Sequence, residues 1–190
     1  MGDNQNFETF LSLSPKKFFI ITNSEINKNL YEKELVFESD TRKLDFNILD
    51  NFLNENIFKI EKNLNNFVKN IFLIIDCDEF FTVNLSIKKN NYGDFITNDN
   101  LSYILNEARD QCSDTLRNKR IIHILIDNYL VDDKKYFNLP KNLKCKHFSL
   151  DIRFLCLPEN YLKDLENIIY KYQISINKLI SMKYLKTLFP

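Results

Sequence analysis

At 190 residues and 22.8 kDa the chain has room for one domain or two small ones, and a hydrophobic fraction of 44% excludes wholesale disorder. Lysine plus arginine and aspartate plus glutamate both total 26, a balance that offers no electrostatic handle for nucleic acid or an anionic membrane. The longest apolar runs, such as Ile71 to Ile75 and Ile121 to Ile126, fall far short of the ~20 residues that span a bilayer.

Residues Met1 to Ser14 are polar with scattered aromatics and read as a loose leader with no signal peptide. A reducing, cytoplasmic setting follows as the expectation. Lys16 to Thr22 then predicts a strand and Leu35 to Glu38 a short second one, with the aperiodic segment between them as a turn. The first helix is clear, because Ile48, Leu49, Phe52, Leu53, Ile57, Ile60 and Leu64 recur at three and four residues. Asp45 or Asn47 can cap it, and it should end near Asn65 and Asn66.

Ile71 to Ile75 is a continuous apolar run and fits a strand covered on both faces. Phe81 to Lys88 alternates and predicts another strand, followed by a turn over Asn90 to Asp94 around Gly93. Thr97 or Asn98 can cap the next helix, whose stripe is Leu101, Ile104, Leu105, Ala108 and Cys112. From Ile121 to Cys156 comes an apolar strand, a polar excursion to Pro140 and a second strand. In that second strand Phe148, Leu150, Ile152, Phe154 and Cys156 alternate with Ser149, Asp151 and Arg153. The helices flanking this hairpin, at 99–112 and 158–172, should both cover its apolar face. Pro158 suits the first turn of the second helix. Ile174 to Met182 predicts a strand, and Lys183 to Phe189 the opening of a final helix before Pro190.

Catalytic chemistry finds little support. Only two glycines occur, Gly2 and Gly93, so glycine-dependent phosphate loops cannot be built in the usual way. Cys77, Cys112, Cys145 and Cys156 lack paired spacing, and only His123 and His147 could join them, which makes reduced thiols the expectation over a zinc site. His123 sits mid-strand without a visible carboxylate partner. Asp76, Asp78 and Glu79 form an acidic cluster after a strand and read as a solvated strand end. No metal ligand set and no catalytic residue is assigned, and the chain is not expected to be an enzyme. The excursion from Asp132 to Lys141 differs in kind. Tyr136 and Phe137 stand there among Lys134 and Lys135, a pattern suited to anchoring a protein contact. The alternative, that both rings fold back onto the sheet, stays open. The strand near Asn128 and Tyr129 offers a second route, because an uncovered edge presents unpaired amides to a partner.

The order of these motifs resembles the first half of FtsA, the actin-like protein of bacterial cell division. The residues that carry the likeness are Asp45 with Asn47, Glu61 and Lys62, Gly93 with Ile96, Thr97 and Leu101, and Ile122 and His123 with Leu125. Tyr129 with Val131 and Asp132, Pro140 with Leu143, Asp164 and Leu165, and Tyr184 continue it. The correspondence runs from about Lys43 to Leu188 with little need for gaps. It implies an α+β fold: a partial actin-like, ribonuclease-H-like lobe over residues 1–95, an inserted subdomain of the SHS2 type over 96–182, and the start of a return helix over 183–190, with small antiparallel sheets backed by helices on one face.

The departures matter as much. Family members follow their opening strand with D-I-G-T or D-I-G-S against the nucleotide phosphates; here Ile20 to Ser24 takes that place without aspartate or glycine. The second lobe and the membrane-binding amphipathic helix have no counterpart in these residues, so the family's ATP site is not expected to be retained and no cofactor is assigned. The resemblance implies a non-catalytic interaction module of cell division. Its partners would be FtsA-like copies, FtsZ or later division proteins, and recruitment would be to the inner face of the cell membrane. The implied contact surface is Asn128, Tyr129, Lys134, Lys135, Tyr136 and Phe137. Two rivals remain: another actin-like scaffold of the pilus type, and an enzyme with a cryptic nucleotide site.

Overall fold

The computed structural model describes residues 7–24, 29–38, 42–140 and 143–188. Parts of the sequence-based assignment lie outside them: the leader over residues 1–6, the middle of the first turn at 25–28, Lys141, and the helix end at Phe189 and Pro190. The chain divides into two compact units, one made of residues 1–79 and 159–190, the other of 80–158. These limits differ from the divisions expected at 95/96 and 182/183. Strand pairing sets them: the strand opening at Phe81 belongs to the sheet of the inserted unit, and the strand ending at Ser181 returns to the first sheet.

The first unit holds five strands in the order β3-β2-β1-β4-β9. They are β1 (Phe7–Ser14), β2 (Lys17–Ser24), β3 (Tyr31–Val36), β4 (Asn70–Ile75) and β9 (Ser175–Ser181). β1, β2 and β3 form an antiparallel meander, while β4 runs parallel to β1 and β9 parallel to β4. The sheet is therefore mixed, where small antiparallel sheets were expected. Parallel neighbours need a crossover, and α1 (Phe46–Leu64) and α3 (Glu159–Tyr170) stand in the two crossover connections.

β1 is the main correction to the sequence reading, because the supposed leader is the central strand. Thr9, Leu11 and Leu13 point inward and alternate with Glu8, Phe10 and Ser12. Thr9 can face the core because its hydroxyl meets that of Thr22 at 3.0 Å, so neither buried oxygen is left without a partner. On the covered face Leu11, Leu13, Phe18, Ile20, Leu73 and Ile75 are all fully buried.

α1 starts where Asp45 accepts hydrogen bonds from the backbone N–H of Asn47 and Ile48, and it stops at Asn65 in the left-handed region, φ 50°. It buries Leu49, Phe52, Leu53, Ile57 and Ile60. α3 was expected to cover the hairpin of the inserted unit. Instead its stripe of Leu162, Leu165 and Ile169 lies in the first unit, beside α1 and β9. Pro158 ends the preceding strand and Glu159 opens the helix. The two helices are tied at one end, where the Asp50 carboxylate accepts hydrogen bonds from the Tyr172 hydroxyl and the Lys171 ammonium. These bonds hold the Asp50 carboxyl below its ordinary range. α4 (Met182–Leu188) follows β9 directly.

The inserted unit is an antiparallel sheet in the order β5-β8-β6-β7, with α2 (Asn98–Gln111) packed on it. Its strands are β5 (Phe81–Asn90), β6 (Lys119–Val131), β7 (Lys134–Tyr136) and β8 (His147–Pro158). Thr97 caps α2, reciprocated by Asn100. Ile104 and Ala108 join Ile87, Phe148, Leu150, Ile152, Phe154 and Cys156 in one buried cluster. β6 is twice as long as its apolar run suggested, because the sheet carries its polar ends.

With so little glycine, left-handed backbone falls on residues with side chains: Asn29, Asn65, Tyr92, Asn118, Asp132, Asp133 and Gln173 all have positive φ.

Candidate interaction surface

β6 and β7 are joined by a two-residue turn at Asp132 and Asp133, with φ of 43° and 68°. Positive φ at both positions is the type I′ geometry that matches the twist of a hairpin, and Asp tolerates it. Asp132 does more than turn. Its carboxylate accepts hydrogen bonds from the backbone N–H of His147 (2.9 Å) and Lys146 (3.0 Å), locking the hairpin to the start of β8. Those donors, His147 first, hold its carboxyl below the ordinary range.

The residues singled out in the sequence divide into two groups. Asn128 is engaged inside the unit, donating to the Asp151 carboxylate at 3.0 Å, while Ser86 donates to its other oxygen at 2.6 Å. Tyr129 is half-buried and stacks on Phe148 with ring centroids 6.4 Å apart. Burial pushes its hydroxyl pKa up. Tyr136 lies opposite Tyr129 in the ladder and packs against the same core. These three build the surface from within. Lys134, Lys135 and Phe137 are exposed, Phe137 at 75%, and the Lys135 ammonium sits 5.5 Å from the centre of the Phe137 ring. One ring of the pair thus folds back and the other faces solvent.

The sheet edge beside this tip is only partly covered. Among the described residues the outer side of β6 is paired by β7 alone, at Tyr129, Leu130 and Val131. The preceding stretch from Lys119 to Asn128 forms its ladder with β8. Register shifts at Ile121/His123 and Ile126/Asn128 break the regular ladder there. Sequence alternation could not foresee this, because edge status depends on which strands pair.

Because Asp132 and Asp151 ionise more readily folded than unfolded, their support for the hairpin is full above the unfolded carboxylate pKa of about 3.9. It is lost as pH falls through their lower folded values. We therefore expect the inserted unit to lose stability below about pH 4, with Asp132→Asn and Asp151→Asn each reducing that dependence. Melting temperature measured from pH 6 to pH 2 checks it; identical pH profiles for both variants and the parent would refute it.

The place where a phosphate loop would fall also moves. Since β1 opens the sheet, the turn after the opening strand is Ser14 to Lys17, with Pro15 and Lys16 at its tip, not the stretch Ile20 to Ser24. It too carries neither aspartate nor glycine. The acidic cluster after β4 is matched by cations: Asp76 with Lys186 at 4.0 Å, Asp78 with Arg42 at 3.4 Å and Glu79 with Lys43 at 3.6 Å. Among the described residues no group of His, Cys, Asp and Glu could hold a metal ion. Cys77, Cys145 and Cys156 are buried, and burial raises the Cys156 thiol pKa to about 11. Among the described residues no helix is long and apolar enough to cross a membrane.

No family model matches the sequence, and no curated protein does. Solved structures do match. The PilM–PilN type IV pilus biogenesis complex is similar over 93% of this chain and 48% of that one, with a TM-score of 0.54 at 6% identity. The cytoplasmic domain of EpsL, an inner membrane component of the type II secretion system of Vibrio cholerae, gives 0.42 at 9% identity over 93% and 56%. A protein of unknown function with an actin-like ATPase fold from Bacteroides thetaiotaomicron gives 0.42 at 16% identity over 100% and 58%. The chain spans about half the length of these proteins. The likeness is one of fold. The architecture is mixed α+β, a partial actin-like lobe carrying an inserted sheet-and-helix unit.

Proposed function

We propose that this chain is the partner-binding lobe of an actin-like assembly scaffold, working in the cytoplasm beside a membrane-anchored machine of the pilus type. It acts by protein contact and does not turn over nucleotide. The observation that carries the reading is the hairpin tip of the inserted unit, where Lys134, Lys135 and Phe137 face solvent beside the short edge strand β7, which pairs β6 at Tyr129, Leu130 and Val131. Such an edge, with an aromatic anchor beside it, suits an extended segment of a partner. The PilM–PilN complex, which this fold resembles, is itself named for a protein partner in pilus biogenesis. The motif order from Lys43 to Leu188 favours a second reading, in which the same surface and an insert of the SHS2 type serve cell division.

Two measurements test the proposal. Titration with the cytoplasmic segments of membrane proteins encoded beside this chain should show binding that Lys134→Ala, Lys135→Ala and Phe137→Ala together weaken at least ~10-fold. Binding that ignores these changes would move the surface elsewhere and sink the proposal. Thermal melting with saturating Mg-ATP should show no shift; a ligand at a hundred times its Kd would stabilise the fold by about 2.7 kcal/mol, and a rise of that size would reinstate a nucleotide site.

A further inference from the structure

A second surface lies in the other unit, at the C-terminal end of α1. Phe58 and Phe67 are exposed there at 71% and 72%, well beyond what a partly shielded ring shows. They are the walls of a cleft of about 480 Å3 completed by Glu61, Lys62, Asn65 and Asn66. An adjoining cleft of about 250 Å3 shares Glu61 and Phe67 and adds Val68, Lys69, Tyr172 and Gln173. Phe58, Lys62 and Asn65 follow one another at helical spacing, so they form one stripe. The loop beyond is fixed: Asn65 turns the chain in the left-handed region, Asn66 accepts from the Phe67 N–H, and Glu61 accepts from the Val68 N–H at 3.1 Å. The Phe67 wall is therefore held in place.

Charge selects the occupant. Glu61 spends one carboxylate oxygen on the Val68 amide, while Lys59, Lys62 and Lys69 carry no ion pair among the described residues. Lys62 and Lys69 against Glu61 leave the rim net positive, and the walls are aromatic. From this geometry we infer a docking site for a short acidic segment of a partner protein bearing one aromatic or long aliphatic anchor. The anchor enters between Phe58 and Phe67 and the flanking carboxylates meet Lys62 and Lys69. An anionic membrane would want the rings standing proud on a convex patch; here they face a concavity. The cleft belongs to the first unit, and the hairpin surface to the inserted one.

The test is selection of a random decapeptide library displayed on phage against the whole chain. Enriched sequences should pair one aromatic or leucine with at least two acidic residues. A labelled peptide of that kind should bind Phe58→Ala/Phe67→Ala at least ~10-fold more weakly, a loss of about 1.4 kcal/mol. Lys62→Glu/Lys69→Glu should weaken it comparably, while circular dichroism melts of both variants stay with the parent, since all four side chains are at the surface. No enrichment, enrichment of basic sequences, or binding indifferent to both variants overturns the inference. So does flotation with phosphatidylglycerol vesicles in place of peptide capture, or a concentration-dependent dimer lost on the Phe58→Ala/Phe67→Ala change.

Discussion

Leu11→Asp should unfold the first unit. Leu11 is fully buried at the centre of β1, with β2 on one side and β4 on the other, so a carboxylate there loses its water and gains no cation. An uncompensated buried charge costs about 3 to 5 kcal/mol, and the lost apolar contacts add about 3 kcal/mol, the usual cost of a buried leucine cut to alanine. Against a total stability of about 5 to 15 kcal/mol, the sum leaves little or no folded population. Leu11→Ala, which carries only the second cost, should fold with a lowered midpoint in urea. A Leu11→Asp protein that melts like the parent would return the segment Phe7 to Ser14 to the status of a leader and remove the central strand of the sheet.

Phe154→Ala should be nearly as damaging, but in the other unit. Phe154 has no exposed surface and sits on β8, the strand shared by β5 and β6. Truncating a buried phenylalanine costs about 3 to 5 kcal/mol. Loss of amide-exchange protection should appear first in β5, β6 and β8, while β1, β2 and β4 keep theirs. Equal loss in both sets of strands would mean that the two compact units melt as one.

These two residues also show what could be read from sequence. Phe154 stood out because an antiparallel strand with one covered face alternates strictly, and the same regularity at helical spacing gave α1 and α2 with their caps at Asp45 and Thr97. Leu11 is harder to read, because Leu11 and Leu13 alternate with Phe10 and Ser12 in a segment otherwise polar. Thr9 is polar by itself and belongs in the core only because Thr22 lies opposite it, and that pairing across a hairpin cannot be seen in a single segment. The placing of α3 failed for a related reason. Its stripe was correct, but an amphipathic helix does not state which sheet it covers, and the chain crosses between units at Pro158. At the candidate surface, Phe137 and the two lysines were legible as exposed chemistry, whereas Asn128 and Tyr136 are committed to partners brought by distant strands. The aromatic cleft at Phe58 and Phe67 leaves no periodic signal, because Phe58 lies on the outer side of α1, away from its buried stripe.

The scarcity of glycine has a consequence for how this fold tolerates change. Asn and Asp tolerate the left-handed region, but another residue with a side chain there costs about 1 to 2 kcal/mol of steric conflict that glycine would avoid. Tyr92 and Gln173, with φ of 51° and 58°, are thus sites of stored torsional conflict. The protein carries an untapped margin there, one that directed evolution for heat resistance should find before it alters any buried contact.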